Sequence, residues 1–211
     1  MTRPGAREPD APGPPEIHPD ALVAPDVVPG PGARIGPGAV VGAGARVAAG
    51  ACIGSGAQIA PGVEVGEGAE VEPLARLAGG ARVGPGARIG SLAVVAASDR
   101  ERAAAAEGPG GPATAVEEGA TVGPGAVVEA GVTVGRCARV APGSVVRADV
   151  PPFHRVQGHP AHSHALACRC GELLLRFERG FLPEAPELVC AACGARYRAR
   201  AGAVEELGRP G

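Results

Sequence analysis

Aliphatic residues return at every sixth position over most of the chain. The repeating positions are Ile17, Val23, Ile35, Val41, Val47, Ile53, Ile59, Val65, Val71, Leu77, Val83, Ile89 and Val95, followed by Val116, Val122, Val128, Val134, Val140 and Val146. Only Pro29 breaks the first run. A helix repeats near 3.6 residues and a simple strand every two, so a strict period of six fits neither. Such a period indicates a solenoid of parallel β-strands.

The residues between the aliphatic positions are small and suit tight corners. Glycine stands three residues after most of them, and alanine stands two residues before many of them. Glycine tolerates the positive φ that a turn every six residues requires. Three strands and three corners make a coil of about 18 residues, so residues that far apart stack at about 4.8 Å. We therefore predict about seven coils, with Ile17, Ile35, Ile53, Val71 and Ile89 in one interior column.

The hexapeptide pattern resembles the left-handed β-helix of the hexapeptide-repeat acyltransferases. The resemblance covers both runs of repeats and implies the left-handed sense of the coils. The pattern is interrupted between Val95 and Val116, whose spacing of 21 residues is not a multiple of six. In the acyltransferases an excursion at such a place reaches toward the neighbouring subunit and helps to wall the active site. The resemblance thus implies a homotrimer, the alternative for residues 96–115 being a disordered insertion.

The end of the repeats carries the most specific likeness. Residues 143–153 read Gly-Ser-Val-Val-Arg-Ala-Asp-Val-Pro-Pro-Phe, and residues 156–161 read Val-Gln-Gly-His-Pro-Ala. Both phrases are similar to the segment that closes the β-helix of acetyl-CoA-dependent sugar acetyltransferases. Proline fixes φ and has no N–H for strand pairing, so we expect the solenoid to end here.

Four cysteines follow in two close pairs. Cys168 and Cys170 form the first pair, Cys190 and Cys193 form the second, and a glycine follows each pair. Four thiolates at such spacing suit a tetrahedral zinc site, although the first pair is one residue tighter than usual. A segment of this length could not fold on an apolar core of its own, so we predict a structural zinc. The alternative is a set of reduced thiols without a metal.

Composition limits the partners. The 211 residues include 20 Lys plus Arg, 22 Asp plus Glu, three Phe, one Tyr and no Trp. A charge near zero argues against nucleic acid or an anionic membrane as the main partner. We see no signal peptide and no apolar run of about 18 residues that would span a membrane. We expect a cytoplasmic protein whose partner is a small molecule or another copy of the chain.

These features predict an all-β protein, a left-handed parallel β-helix with a small C-terminal zinc-binding appendage. We expect a disordered lead at 1–16, the β-helix at 17–150 with an excursion loop at 96–115, a connecting segment at 151–167, the appendage at 168–200 and a tail at 201–211. The combination resembles the nucleotide-sugar 3-amino N-acetyltransferases of surface polysaccharide or glycan biosynthesis. The resemblance implies acetyl-CoA as the acyl donor and the amine of a nucleotide-linked amino sugar as the acceptor.

Candidate site residues follow from this resemblance. The absent side chains of Gly125 and Gly143 would let the pantetheine of CoA approach the backbone. Arg147 is the candidate for a CoA phosphate, because a guanidinium pairs well with phosphate oxygens; the alternative is an exposed arginine at the end of the solenoid. Asp99, at the start of the excursion, is the candidate for holding or deprotonating the amine.

The histidines limit the choice of chemistry. His18 is in the first coil, and we expect His154, His159, His162 and His164 to follow the last one. A metal site of the γ-carbonic-anhydrase type needs three coil histidines, so the sequence excludes it. The same absence keeps a second function class open: a non-catalytic trimeric scaffold, or a regulatory partner of a sugar-modifying enzyme.

Overall fold

The structure, a computed structural model, describes residues 13–97, 114–178 and 182–208. Within these residues the chain forms 25 β-strands and no helix, which confirms the all-β prediction. Three parallel sheets, A, B and C, are the walls of a solenoid of about seven coils. A three-stranded antiparallel sheet, D, follows near the C-terminus.

The strands of each sheet come from successive coils. Sheet A contains, in spatial order, β1 (Glu16–Ile17), β3 (Arg34–Ile35), β6 (Cys52–Ile53), β9 (Glu70–Val71), β12 (Arg88–Ile89), β15 (Thr121–Val122), β18 (Arg139–Val140), β20 (His154–Gly158), β21 (Ala161–Ala167) and β22 (Leu173–Arg176). Sheet B contains β2 (Leu22–Val23), β4 (Val40–Val41), β7 (Gln58–Ile59), β10 (Arg76–Leu77), β13 (Val94–Ala97), β16 (Val127–Glu129) and β19 (Val145–Val146). Sheet C contains β5 (Arg46–Val47), β8 (Glu64–Val65), β11 (Arg82–Val83), β14 (Ala115–Val116) and β17 (Thr133–Val134). Sheet D contains β23 (Ala185–Val189), β24 (Arg196–Arg200) and β25 (Ala203–Gly208).

The interior column predicted from the sequence is present. Register pairs join Ile17 to Ile35, Ile35 to Ile53, Ile53 to Val71 and Val71 to Ile89. From the second coil onward, the second residue of each two-residue solenoid strand is buried, whereas the first faces outward. The alanines two residues before the aliphatic positions are buried as well, as Ala57 at 0% exposure illustrates. The core is therefore an aliphatic stack that needs no aromatic residue.

The interruption of the repeat does not interrupt the stack. Val83 pairs with Val116, and Val95 pairs with Val128, so the coils before and after the excursion are in direct register. The masked part of the predicted excursion, residues 98–113, lies outside the described residues. Pro29, the exception in the pattern, occupies a buried interior position without forming a strand, and sheet C consequently begins only at β5.

Most corners contain glycine in the left-handed region, as predicted; Gly38, for example, has a φ of 67°. Three larger residues take the same corner position: Leu74 at 60°, Leu92 at 61° and Cys137 at 55°. A bulky residue in this region costs on the order of 1–3 kcal/mol and persists only where its surroundings impose it.

Corner N–H groups that the parallel ladders leave unpaired are treated in two ways. Many corners have proline two residues after the aliphatic position, as at Pro124, and proline has no N–H. Where another residue stands there, a carboxylate accepts the bond. Glu72 Oε2 accepts from Ser91 N at 2.9 Å, and Glu117 Oε2 accepts from Arg136 N at 2.8 Å. These carboxylates therefore stabilise corners of the coil above their own.

The solenoid extends beyond the prolines at 151–152. Strand β20 pairs in parallel with β18, with Val140 opposite Val156, and therefore adds one further strand to sheet A. His154 consequently lies on the solenoid, contrary to the expectation that it follows the last coil. Strands β21 and β22 then continue sheet A in antiparallel fashion.

Sheet D packs against the end of the solenoid through a second buried cluster. This cluster consists of Cys137, Phe153, Cys168, Cys190, Ala195 and Tyr197. The rings of Phe153 and Tyr197 meet edge to face, with centroids 5.2 Å apart. At the same junction Glu206 pairs with Arg136 at 3.3 Å and with Arg169 at 3.4 Å. The appendage is thus fixed to the last coils by one aromatic contact and one bridging carboxylate.

Candidate functional site

The predicted donor glycines lie on one corner of the prism, between sheets A and B. The residues that follow the sheet A strands at this corner are Gly38, Gly56, Leu74, Leu92, Gly125 and Gly143. A Cβ atom added at Gly125 or Gly143 would meet no atom within 4 Å. The backbone is continuous here, since Gly143 N donates to Pro124 O at 2.9 Å and Gly125 N to Ser91 O at 2.8 Å. The two glycines form an open line that ends at Leu92.

Arg147 lies two residues after the start of β19 and is already paired. Its Nε donates to Glu129 Oε1 at 2.7 Å, and both side chains are partly exposed. A phosphate at Arg147 would therefore compete with this carboxylate. The structure brings Arg147 to the same end of the solenoid as Gly143, and its proposed role remains a prediction.

The predicted catalytic residue, Asp99, lies outside the described residues. The described coils contain two histidines, and neither faces the glycine line. In the first coil, His18 Nδ1 accepts from Asp20 N at 3.2 Å. In the last coil, His154 is 5% exposed, and its Nδ1 lies 2.9 Å from Ser163 Oγ. Burial lowers the pKa of His154 and keeps the imidazole neutral.

A shallow groove of about 970 Å³ covers the outer face of sheet A over the lower coils. It contains Arg34, whose Nη2 donates to Cys52 Sγ at 2.9 Å. None of the residues that we predict to bind the donor lines this groove. Its volume therefore does not identify the donor site, and the corner between sheets A and B stays the better candidate.

The structure brings the four predicted metal ligands together. The sulfur atoms of Cys168, Cys170, Cys190 and Cys193 all lie within 4.8 Å of one another. The closest pairs are Cys168 with Cys193 at 3.4 Å and Cys170 with Cys190 at 3.6 Å. Four thiolates around zinc at about 2.3 Å would be separated by about 3.8 Å, so the cluster fits this ion. It is the one such group of at least three ligating side chains in the described ranges.

The cluster is electrostatically uneven. Burial raises the pKa of Cys168 to about 12, whereas hydrogen bonding from the backbone of Ala195 lowers the pKa of Cys193 to about 7. Cys193 is thus the thiol that ionises most readily, and a cation would be needed to deprotonate Cys168 at neutral pH. The guanidinium of Arg139 lies beside this cluster, because Gly171 leaves room for it and Nη2 donates to Arg169 O at 3.4 Å.

Tyr197 is a site residue that our sequence reasoning did not identify. Its hydroxyl lies 3.1 Å from Cys168 Sγ and accepts from Arg169 N, also at 3.1 Å. The side chain is fully buried between the cysteines and Phe153. The alternation Arg-Tyr-Arg-Ala-Arg at 196–200 was the available signal, because it predicts a strand with Tyr197 and Ala199 facing inward. Cys137 was also missed: it packs in the same buried cluster without joining the four sulfur atoms.

Comparison with known proteins agrees with the repeat. Residues 113–148 match the family model "Bacterial transferase hexapeptide (six repeats)". No curated protein matches the sequence. No helix in the described residues is long and apolar enough to cross a membrane.

Several solved structures are similar. They include LpxA, a UDP-N-acetylglucosamine acyltransferase from Bacteroides fragilis 9343, with 18% identity over 73% of this chain and 62% of that chain, and a TM-score of 0.62. The acetyltransferase domain of PglB from Neisseria gonorrhoeae FA1090 matches with 26% identity over 71% of this chain and 57% of that chain, and a TM-score of 0.49. PerB from Caulobacter crescentus, in complex with CoA and GDP-perosamine, matches with 25% identity over 72% of this chain and 57% of that chain, and a TM-score of 0.44.

The chain spans less than two thirds of each of these three proteins. The likeness to LpxA shows a shared fold. The six-residue period, the parallel solenoid and the family model together confirm the resemblance to hexapeptide-repeat transferases, here with a four-cysteine cluster in a C-terminal appendage.

Proposed function

We propose that this chain is an acetyl-CoA-dependent N-acyltransferase that acts on the amine of a nucleotide-linked amino sugar. The observation that carries the proposal is the position of the family match. Residues 113–148 match a transferase model, and they include the coils that hold Gly125 and Gly143. The open line that these glycines form offers an extended pantetheine a close approach to the backbone.

The reaction needs little covalent chemistry from the protein. The amine nitrogen attacks the thioester carbonyl, a C–N bond forms, the C–S bond breaks and CoA leaves as its thiol. The amine loses one proton, for which Asp99 is the candidate acceptor. Holding the two reactants together supplies much of the rate in such a transfer, so an amine that is already deprotonated could react through positioning alone.

The four cysteines belong to the proposal as a structural zinc site. Cys168, Cys170, Cys190 and Cys193 would fill all four positions of a tetrahedral ion, which leaves none for water and excludes a catalytic role. Zinc would supply folding energy to an appendage with a small apolar core. Metal-binding thiols need a reducing compartment, which supports a cytoplasmic location.

A homotrimer is also part of the proposal, with the donor held between two subunits. The second candidate function is a non-catalytic scaffold of the same architecture. Two observations favour it: Arg147 is occupied by Glu129, and the described coils present no histidine to the glycine line. A scaffold would keep the aliphatic stack and lose donor binding.

Thiol release separates the two candidates. The purified full chain is incubated with acetyl-CoA and a panel of UDP- and dTDP-amino sugars, and free thiol is measured together with the melting shift caused by acetyl-CoA. The enzyme should give both signals. Absence of donor binding and of thiol release with every sugar would replace the enzyme by the scaffold.

A matched pair of variants tests the position of the donor. Gly125→Asn adds a side chain to the open line, and asparagine tolerates the φ of 65° better than most residues do. Gly38→Asn makes the same change at the same corner several coils lower, where φ is 67°. We expect only Gly125→Asn to abolish the acetyl-CoA melting shift. Equal shifts in the two variants would place the donor elsewhere.

A further inference from the structure

Three residues replace glycine at strained corners, and only one of them is covered. Cys137 is 7% exposed, because the appendage packs on it. Leu74 and Leu92 have the same backbone conformation but are 59% and 62% exposed. Strained conformations persist where a function requires them, and Cys137 shows the function in this protein: its side chain anchors whatever packs on the corner. Leu74 and Leu92 have the form of such anchors without a cover among the described residues.

The wall beside the two leucines is also apolar on its outside. The outward residues of sheet B, from the first coil to the last, are Leu22, Val40, Gln58, Arg76, Val94, Val127 and Val145. Those of the parallel part of sheet A are Glu16, Arg34, Cys52, Glu70, Arg88, Thr121, Arg139 and Arg155. Those of sheet C are Arg46, Glu64, Arg82, Ala115 and Thr133. Valine or leucine thus dominates the outside of one wall and is missing from the outside of the other two.

Leu74 and Leu92 are continuous with this wall. Leu74 lies two residues before β10, and Leu92 lies two residues before β13. Together with the outward aliphatic residues of sheet B they form what we call the apolar surface. Contiguous exposed apolar surface on a folded protein marks an interaction site.

The shape of the apolar surface decides between a small molecule and a protein. Small-molecule sites are concave, whereas Leu74 and Leu92 form a convex ridge one side chain wide on the edge of the prism. The aliphatic residues also recur at the coil spacing of about 4.8 Å along the solenoid. A partner that matches such a straight ladder needs surface residues at the same spacing, and a second solenoid of this sequence has them.

We propose that the apolar surface is where a second copy of this chain docks. The inference rests on the proposed function, since it identifies the surface of the proposed trimer. Gly125 and Gly143 lie on the same corner directly above Leu92, so the docked copy borders the glycine line. The donor site is then incomplete in a single chain, because one side of the line is open until the partner covers it.

The two leucines allow a test that does not depend on unfolding. In the double variant Leu74→Gly with Leu92→Gly, each corner receives the residue found at the other four positions of this line. The change removes backbone strain, so the fold is retained, but it removes both anchors. Sedimentation of the full chain should show association weakened roughly 100-fold or more, since each buried leucine accounts for at least a factor of about ten.

Two further variants keep the test sharp. Val127→Ser alters the centre of the wall without touching a strained corner, and it should also weaken association. Val189→Ser is the matched control, because Val189 is 58% exposed but lies on the appendage; its association should be that of the wild type. The inference fails if wild-type protein is monomeric at micromolar concentration, or if the leucine double variant associates as tightly as the wild type.

Donor binding distinguishes failure of this inference from failure of the proposed function. A wild-type monomer with a normal acetyl-CoA melting shift would overturn the docking surface and leave the enzyme intact. In a wild type that associates and binds donor, loss of both properties in the leucine double variant would support a site shared between copies. Retained donor binding in a dissociated double variant would overturn the claim that the site is incomplete in one chain.

Discussion

The solenoid and the appendage use opposite sources of stability. Every coil of the solenoid buries the same kind of residue against the coil before it, as in the column from Ile35 to Ile89. The appendage has one buried tyrosine and four clustered cysteines instead. Stability in a repeat array is spread over many similar interfaces, whereas a metal-dependent module depends on a single site. The two parts should therefore fail independently and under different conditions.

The largest expected effect is in the interior of the solenoid. Val83 is 3% exposed, and Val83→Asp would bury a carboxylate without a partner at a cost of several kcal/mol. We expect no soluble folded protein. The control is Arg82→Asp, one residue earlier and outward-facing, which should retain wild-type circular dichroism. A soluble Val83→Asp protein with unchanged stability would show that the register is wrong.

The next largest effect should be confined to the appendage. Cys190→Ser removes one of four predicted ligands, and we expect zinc to fall from about one equivalent per chain to a small fraction of that. Hydrogen exchange should then show loss of protection in β23 to β25, with sheets B and C unaffected. Cys52→Ser is the matched control and should leave the zinc content unchanged. Wild-type protein with less than half an equivalent after expression in zinc would contradict the site.

A smaller effect should come from the tyrosine that contacts the cluster. Tyr197→Phe keeps the packing on Phe153 but removes the hydroxyl beside Cys168 Sγ and leaves Arg169 N without its partner. Loss of such an outer hydrogen bond weakens metal binding roughly 10- to 100-fold. Competition with a chromophoric chelator measures the change. Equal zinc affinity in the variant and the wild type would assign Tyr197 to packing alone.

The smallest effect concerns pH and the last strand of the solenoid. His154 has its pKa lowered by burial, so the unfolded chain binds a proton more readily than the folded one. Its contribution to stability is complete above the ordinary value of 6.5 and is lost as the pH falls below it. His154→Gln should flatten the dependence of unfolding free energy on pH in this range. His159→Gln, at an exposed position, should not; equal slopes in the wild type and His154→Gln would contradict the assignment.

The sequence by itself determined the solenoid, because every coil repeats one local rule. Aliphatic residues at a period of six, alanine two residues before them and glycine three residues after them specify the strands, the corners and the 18-residue stacking distance. The four cysteines could likewise be grouped from their spacing, since each close pair brings its own ligands together locally. These predictions succeeded because they depend on neighbours in the sequence.

Tertiary structure alone decided what depends on residues far apart in the chain. The packing of Tyr197 on Phe153 joins positions 44 residues apart, and nothing in the local pattern of either residue specifies the other. The exposure of Leu74 and Leu92 was also hidden, because a leucine in a repeat reads as core until its corner position and backbone conformation are known. The extra strand that carries His154 went unseen because prolines precede it, and its pairing with β18 is a property of the assembled sheet.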